Sequence, residues 1–297
     1  MANVSEIVLA SIPSPSRSEW NLGPFPLRAY ALAILVGIVV AVWWSMRRLK
    51  ARGGNPDDII SVCYWAVPFG IVGGRIYHLV TSPDQYFGAG GHPMDAFKIW
   101  EGGLGIWGAV ALGGLGAWIG CRRTGLSFAL FADVTAPTIL LAQGIGRIGN
   151  WFNQELFGAP TTLPWGLEID PAHLPAGDAV GTLYHPTFLY ELLWNVLGVA
   201  VLVWAERRYR LHGGQVFWLY VLIYTTGRLW IEMLRIDTAH HFLGVRLNVW
   251  TSIVVWIGAL LAFVQLRRRT QRLGDEADRP VTEPAPTAVT RSQPEDS

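Results

Sequence analysis

Charge and cysteine are both scarce in this chain of 297 residues. Only 15% of the residues are charged and 51% are hydrophobic, whereas soluble domains carry charge on about a quarter of their residues. The two cysteines, Cys63 and Cys121, stand singly in apolar stretches, without a C-x-x-C motif or a neighbouring histidine. These deficits exclude a soluble globular enzyme, a disulfide scaffold and a disordered protein. The net charge of +1 gives no reason to expect nucleic-acid binding.

Long uncharged stretches are the main feature that the chain does have. A stretch of about 20 apolar residues is long enough to cross ~30 Å of hydrocarbon. We therefore predict an all-α polytopic membrane protein with seven transmembrane helices. The predicted spans are 27–46, 58–80, 104–121, 128–147, 187–205, 214–234 and 248–266.

Basic residues orient the predicted spans, because they gather in alternate connections. These are Arg47, Arg48, Lys50 and Arg52, then Arg122 and Arg123, then Arg207, Arg208 and Arg210, and finally Arg267, Arg268 and Arg269. The positive-inside rule puts these connections in the cytoplasm and the N-terminus outside. The predicted organisation is an external segment 1–26, a membrane domain 27–266, and a basic and then disordered cytoplasmic tail 267–297. The working face of the protein is then expected to look outward.

The sixth predicted span carries a stripe of polar residues on one helical face. Tyr224, Arg228 and Glu232 follow each other at intervals of four residues, and Arg235 comes three residues later. A charged side chain inside a span costs about 2.5–3.5 kcal/mol on insertion scales, so this stripe must face the bundle interior or a cavity. Two interpretations are open, an Arg228–Glu232 pair that fixes helix packing or a binding site. Glu191 in the fifth span leaves the same choice between an interhelical hydrogen bond and function.

The densest cluster of glycines and polar residues lies at 144–158, GIGRIGNWFNQELFG. It contains a formal G-x-G-x-x-G, but no strand precedes it and no βαβ unit surrounds it, so a dinucleotide site is excluded. Arg147 at the predicted span end offers a planar fork of donors that matches a phosphate. Asn150 and Glu155 follow within two turns and could orient this arginine or bind hydroxyl groups. Tight packing with a snorkelled arginine is the alternative; Arg147 together with Arg228 favours an anionic phospholipid headgroup.

The run from Gly146 to Gly158 closely resembles the signature of the bacterial prolipoprotein diacylglyceryl transferases. Further segments agree with that family in order and spacing: LRAY at 27–30, GGR at 73–75, WEGG at 100–103, HPTFLYE at 185–191 and the polar stripe of the sixth span. The resemblance covers roughly residues 20 to 270. The family has seven spans and an outward N-terminus, in agreement with the topology predicted from charge.

The resemblance implies an activity on phosphatidylglycerol. The expected reaction transfers its sn-1,2-diacylglyceryl group to the lipobox cysteine of a preprolipoprotein signal peptide, which forms a thioether and releases glycerol phosphate. The expected location is the bacterial plasma (inner) membrane, with the active site toward the outer leaflet. The expected partners are phosphatidylglycerol and lipobox signal peptides, with neither a cofactor nor a metal.

The resemblance also implies roles for individual residues. The expected catalytic residues are Arg147, Arg228, Glu155 and Tyr30. The expected phosphatidylglycerol-binding residues are Arg147, Asn150, Gly158, Tyr224, Glu232 and Arg235. His185 is a further candidate base beside Glu155.

Trp107 marks a departure from the family pattern. Many members carry a histidine at this position, proposed as the catalytic base, and an indole cannot accept a proton there. A side-chain base is not obligatory, because a cysteine with a pKa near ~8.5 is already a few per cent thiolate near neutrality. Two other interpretations stay open: a lipid or solute transporter, and an inactive relative that only binds phospholipid.

Overall fold

The computed structural model describes residues 11–22, 25–88, 90–239 and 241–277. The described chain is a bundle of long helices. They are α1 Ala29–Lys50, α2 Asp57–Thr81, α4 Ile106–Thr124, α5 Phe128–Asn153, α6 Thr187–Tyr209, α7 Gln215–Leu234 and α8 Leu247–Ala277, with a short α3 Asp84–Phe87 after α2. Parts of the predicted external segment and tail, residues 1–10 and 278–297, lie outside the described residues.

The all-α membrane class is confirmed. Within the described ranges, five helices are long and apolar enough to cross a membrane: α1, α2, α5, α6 and residues 247–271 of α8. Helices α4 and α7 coincide with the third and sixth predicted spans, but they are not among those five.

Two helices run beyond their predicted ends. Helix α5 passes Pro137 and continues to Asn153, where Gln154 closes it in the left-handed conformation. The Gln154 amide holds that end by two hydrogen bonds to Asp170, one to its carboxylate at 2.6 Å and one from its backbone N–H at 2.8 Å. Arg147 was predicted at the end of the span. It lies about two turns before the end of the helix. Helix α8 likewise continues to Ala277, so residues 267–277 are helical where we predicted a tail.

Glycines let α2 and α4 pack with their backbones close together. A Cβ atom on Gly73 would collide with the carbonyl oxygen of Gly108, and the reverse substitution would collide as well. Further along the same interface, a Cβ on Gly120 would lie 2.8 Å from the Cα of Val62. Small residues at such contacts are typical of helix packing in membranes. This packing accounts for the glycine-rich composition of the third predicted span.

Three small antiparallel hairpins lie between or before the helices. They pair β1 Glu19–Leu22 with β2 Phe25–Arg28, β3 Leu167–Glu168 with β4 Leu183–Tyr184, and β5 His241–Phe242 with β6 Val245–Arg246. The segment before α1 is attached to the long 154–186 connection, because Ile12 exchanges backbone hydrogen bonds of 2.9 Å with Gly166 and Glu168.

A polar cluster ties α1, α5, α6 and α7 together at the end of the bundle where α1 and α6 finish. Arg48 donates to Glu206 at 2.9 Å and to the carbonyl oxygen of Val134 at 2.9 Å. The buried carboxylate of Asp133 accepts the backbone N–H groups of Gly214 at 2.8 Å and of Phe217 at 3.0 Å. The start of α7 is thereby fixed to α5, since the first N–H groups of a helix need acceptors from outside it.

Candidate active site between α4, α5, α7 and α8

A cavity of about 440 Å³ opens between α4, α5, α7 and α8. Three of the predicted functional arginines line it, and no carboxylate residue is part of the lining. The rest of the wall is aromatic, aliphatic or neutral polar: Ile106, Trp107, Val110, Gln143, Tyr220, Val221, Tyr224, Thr225, Asn248, Thr251, Ser252 and Val255. A concave surface with convergent cations and apolar walls suits a ligand that has an anionic head and hydrocarbon parts.

Glu191 on α6 joins the two principal arginines. Its Oε2 forms an ion pair with Nε of Arg147 from α5, and its Oε1 accepts a hydrogen bond from Arg228 Nη1 of α7 at 2.7 Å. Glu191 is only 5% exposed, so the carboxylate stands behind both guanidinium groups and outside the cavity lining. The interhelical hydrogen bond that was one interpretation of Glu191 is therefore present, and Glu191 holds two cavity arginines side by side.

Glu232 on α7 is a second buried carboxylate, and it is fully inaccessible to solvent. It pairs with Arg228 Nη2 through Oε2, and its Oε1 accepts Arg246 Nε and Asn248 Nδ2, each at 2.9 Å. Arg235 Nη1 lies 3.7 Å from Oε2. The predicted Arg228–Glu232 pair is present, and Arg228 still faces the cavity. Arg228 therefore both takes part in helix packing and remains accessible to a ligand in the cavity.

Asp237, just after α7, connects Arg235 with Arg246. Its two carboxylate oxygens lie 2.7 Å from Arg235 Nε and 3.0 Å from Arg246 Nη2. Burial raises the pKa of Asp237, but the hydrogen bond and charge of Arg235 and the charge of Arg246 lower it by more than burial raises it. The pKa of Asp237 therefore lies below its ordinary value. The carboxylate therefore stays ionised and holds both arginines in place.

Asn150 and Glu155 do not line the cavity, and they are connected to it only by hydrogen bonds that lead to Arg147. Arg147 Nη1 donates to Asn150 Oδ1 at 3.2 Å, and Asn150 Nδ2 donates to Glu155 Oε1 at 2.8 Å. Asn153 Nδ2 also donates to that oxygen at 3.1 Å. Glu155 is exposed and does not line the cavity. Its geometry is that of a residue that orients Asn150 and, through it, Arg147.

Tyr30 and Gly149 form a contact between α1 and α5. A Cβ atom on Gly149 would lie 2.7 Å from Tyr30 Cδ2 and 3.0 Å from Tyr30 Cα. Tyr30 is 39% exposed and does not belong to the cavity lining. The glycine of the signature therefore makes room for the tyrosine that we expected to be catalytic.

Gly158 and His185 lie at a junction of two loops with the end of α7. The Gly158 N–H donates to the His185 carbonyl oxygen at 2.9 Å. A Cβ on Gly158 would lie 2.8 Å from His185 Cβ and 2.9 Å from the Leu234 carbonyl oxygen. The imidazole Nδ1 of His185 lies 3.2 Å from the Tyr190 hydroxyl, and neither Gly158 nor His185 lines the cavity.

Trp107 and Tyr224 line the cavity together with Arg147 and Arg228. The Tyr224 ring stacks on Tyr220 with centroids 6.2 Å apart. The indole at the family's histidine position therefore takes part in the same cavity as the two arginines. Among the residues that the structure describes, no group of three histidine, cysteine or carboxylate side chains could hold a metal ion.

Four residues that were not predicted from the sequence belong to this site: Gln143, Asp237, Arg246 and Asn248. Gln143 and Asn248 line the cavity, and Arg246 and Asp237 hold its arginines. One signal was available for Arg246: it stands at the predicted outer end of a span, where the positive-inside rule leaves few arginines.

Comparison with known proteins agrees with the signature. A model of the family described as prolipoprotein diacylglyceryl transferase matches residues 18–265. The phosphatidylglycerol–prolipoprotein diacylglyceryl transferase of Frankia alni is 62% identical over 262 residues, which cover 88% of this chain and 69% of that protein. The second such transferase of Streptomyces coelicolor is 60% identical over 256 residues, which cover 86% of this chain and 81% of that protein. The chain therefore belongs to the prolipoprotein diacylglyceryl transferase family, as the resemblance predicts.

Proposed function

We propose that this protein transfers the sn-1,2-diacylglyceryl group of phosphatidylglycerol to the lipobox cysteine of preprolipoproteins. The observation that carries the proposal is the position of Arg147 and Arg228, held side by side by Glu191 at the wall of a cavity whose third charged lining residue, Arg235, is also a cation. Two guanidinium groups match the phosphate of one lipid headgroup. The names of the relatives supply the two substrates, phosphatidylglycerol and a prolipoprotein.

The reaction is a displacement at a glycerol carbon. The cysteine sulfur forms a bond to that carbon while the carbon–oxygen bond to phosphate breaks, and the bonding electrons leave with the phosphate oxygen. The products are the thioether and glycerol phosphate, and the thiol proton passes to solvent or to the phosphate. The arginines favour the thiolate and stabilise the charge that develops on the leaving phosphate.

The other predicted residues support these two arginines. Asn150 and Glu155 orient Arg147, and Glu232 and Arg235 belong to the network that fixes Arg228. Neither Glu155 nor His185 lines the cavity, which favours a mechanism without a dedicated side-chain base. An indole at position 107 is compatible with such a mechanism.

The proposed topology has seven spans, an external N-terminal segment 1–26, a membrane domain 27–266 and a cytoplasmic C-terminus. Its support is the placement of basic residues: α1, α4, α6 and the apolar part of α8 all end in arginine-rich segments. The cavity lies toward the opposite end of the bundle, along the second half of α5, the middle of α7 and the first turns of α4 and α8. We propose that this end faces the outer leaflet of the bacterial plasma membrane.

The test uses purified protein in detergent with phosphatidylglycerol and a fluorescent lipobox peptide. We expect the peptide to gain the mass of a diacylglyceryl group, and Arg147→Ala to lose at least about a hundredfold in rate, as is typical when a charge-stabilising donor is removed. Arg147→Lys keeps the charge without the planar fork and should recover only part of the rate. The matched control is Arg122→Ala, which removes an exposed arginine at the end of α4.

Two outcomes would contradict the proposal. A protein that moves phosphatidylglycerol between leaflets without altering it would be a transporter. A protein that binds the lipid but gives no product would be an inactive relative, and Trp107→His would then show whether the missing imidazole is the cause.

A further inference from the structure

A second cavity, of about 610 Å³, lies where α1 and α6 end, with one wall on α5. Its lining brings together four arginines, one glutamate, two tryptophans and four aliphatic residues, among them Arg47, Arg48, Arg52, Arg207, Glu206 and Trp43. None of these residues has a part in the transfer chemistry proposed above.

The charges of this cavity are not balanced. In the part of the chain that the structure describes, Glu206 is the only acid in the cavity lining, and both carboxylate oxygens are already engaged, one by Arg48 at 2.9 Å and the other by Arg52. Arg47 and Arg207 have no carboxylate partner among the residues that the structure describes. The nearby Asp133 directs its carboxylate to the backbone at the start of α7. The cavity therefore presents an excess of positive charge.

Arg47 lies over an aromatic ring. Its guanidinium carbon is 4.7 Å from the centroid of the Trp43 ring, and Trp43 is 54% exposed on the outer surface of α1. Arginines that only obey the positive-inside rule extend singly toward water. Here four of them converge on one cavity whose remaining wall is aliphatic, so the site joins a basic pocket to the hydrocarbon-facing side of the bundle.

The arginines of the two cavities are well separated along α5, although Leu141 of this cavity and Gln143 of the first lie two residues apart on opposite faces of that helix. Arg48 Nε donates to the carbonyl oxygen of Val134 near the start of that helix, whereas Arg147 lies near its end. Thirteen residues at 1.5 Å per residue correspond to a distance of about 20 Å. One phosphate cannot reach both sites, so this cavity is not an extension of the transfer site.

We propose that this second cavity binds the phosphate headgroup of an anionic phospholipid from the cytoplasmic leaflet. Basic pockets between membrane helices on the cytoplasmic side are suited to such headgroups. Arg47 and Arg207 supply the free charge, and the Trp43 ring with the aliphatic wall contacts the acyl chains. The assignment to the cytoplasmic leaflet depends on the proposed topology, whereas the binding of an anionic phospholipid does not.

The test counts bound lipids on the full chain in zwitterionic detergent by native mass spectrometry, with phosphatidylglycerol and phosphatidylcholine as probes. We expect the wild type to bind phosphatidylglycerol at two sites and to prefer it to phosphatidylcholine at both. In the double variant Arg47→Gln/Arg207→Gln, the affinity of one site should fall about tenfold or more, since each basic residue near an anionic lipid contributes on the order of 1 kcal/mol. The matched control Arg268→Gln/Arg269→Gln removes two exposed charges from the same end of the bundle.

Several results would overturn the proposal. One is equal binding by the two double variants while both melt like the wild type. Another is displacement of the lipid by millimolar glycerol phosphate or inorganic phosphate, which would make the occupant a soluble anion. Arg147→Ala provides the independent check, because it should weaken the other site and leave this one. If a reagent added from outside labels Arg52→Cys, the proposed topology fails and with it the assignment of this lipid to the cytoplasmic leaflet.

Discussion

Glu191→Gln tests the arrangement on which the proposed chemistry depends. Glu191 is buried, accepts a hydrogen bond from Arg228 and forms an ion pair with Arg147. Glutamine has nearly the same shape, but it has no charge and only one acceptor oxygen, so its amide group would face one guanidinium donor to donor. The two arginines would then repel each other without a counter-charge, and at least one would turn away from the phosphate position.

The magnitude follows from the two charged interactions of Glu191, the hydrogen bond from Arg228 and the ion pair with Arg147. A charged hydrogen bond is worth about 1.5–3 kcal/mol, and the amide replaces at most one of the two interactions by a weaker bond. A loss of about 2–4 kcal/mol of transition-state stabilisation lowers kcat about 30- to 1,000-fold. The KM for phosphatidylglycerol should not rise more than about twofold, because removal of the negative charge behind the arginines strengthens the attraction of the remaining one for phosphate and offsets the contact that the displaced one loses. This division between kcat and KM identifies Glu191 as a positioning residue.

Steady-state kinetics in detergent, together with melting curves, test whether Glu191 positions the two cavity arginines. The control is Glu206→Gln, which takes the same charge from another pair of arginines, Arg48 and Arg52, at the far end of the bundle. At an equal loss of Tm, Glu191→Gln should lose at least about tenfold more kcat than this control. Glu191→Asp, which keeps the charge, should recover part of the rate. If kcat of Glu191→Gln stays within threefold of the wild type, the reasoning is refuted.

Three further predictions follow from other parts of the site. Gly149→Ala should push the Tyr30 side chain of α1 away from α5 and destabilise the protein by about 1–3 kcal/mol. Gly146→Ala, with open space around its Cβ, should raise the stability or leave it unchanged. Thermal melting of the two variants compares them directly. The pKa of Asp237 lies below its ordinary value, so its ionised form stabilises the fold above about pH 4 and this contribution disappears as the pH falls through the lowered pKa. Asp237→Asn should therefore lower the Tm at pH 7 and converge with the wild type in strong acid; a constant difference at all pH values would argue against the ion pairs. Trp107→His should change kcat by less than about tenfold if no side-chain base is needed, and a pH–rate profile with a new ionisation near ~6.5 together with a large gain in rate would contradict that.

Hydropathy and charge were sufficient to predict the helices but not where they end. Each predicted span coincides with a long helix, because an uncharged stretch of about 20 residues has few alternatives in a membrane. The predicted end of α5 at 147 was wrong, since the helix continues to Asn153. Its end is set by the contact of Gln154 with Asp170, a residue from a connection that carries no periodic signal.

The predicted site residues divide into two groups. Arg147, Arg228, Tyr224 and Arg235 line one cavity, and Glu232 and Asn150 contact those arginines directly. Tyr30, Glu155, Gly158 and His185 lie outside the lining. Resemblance to a family carries over which positions matter, but it does not separate a residue that touches the ligand from one that orients its neighbour.

The sequence by itself determined the membrane class and the family and led to the prediction of Arg147 and Arg228 as site residues, because apolar length, basic clusters and a long signature are all local properties of the chain. Only the tertiary structure decided that Glu191 joins Arg147 to Arg228 and that Trp107 shares their cavity. The physical reason is that helical periodicity puts residues on a common face of one helix, whereas the rotation of that face toward its neighbours is decided by packing between helices. Residues from four helices converge here, and no spacing along the chain encodes their distance.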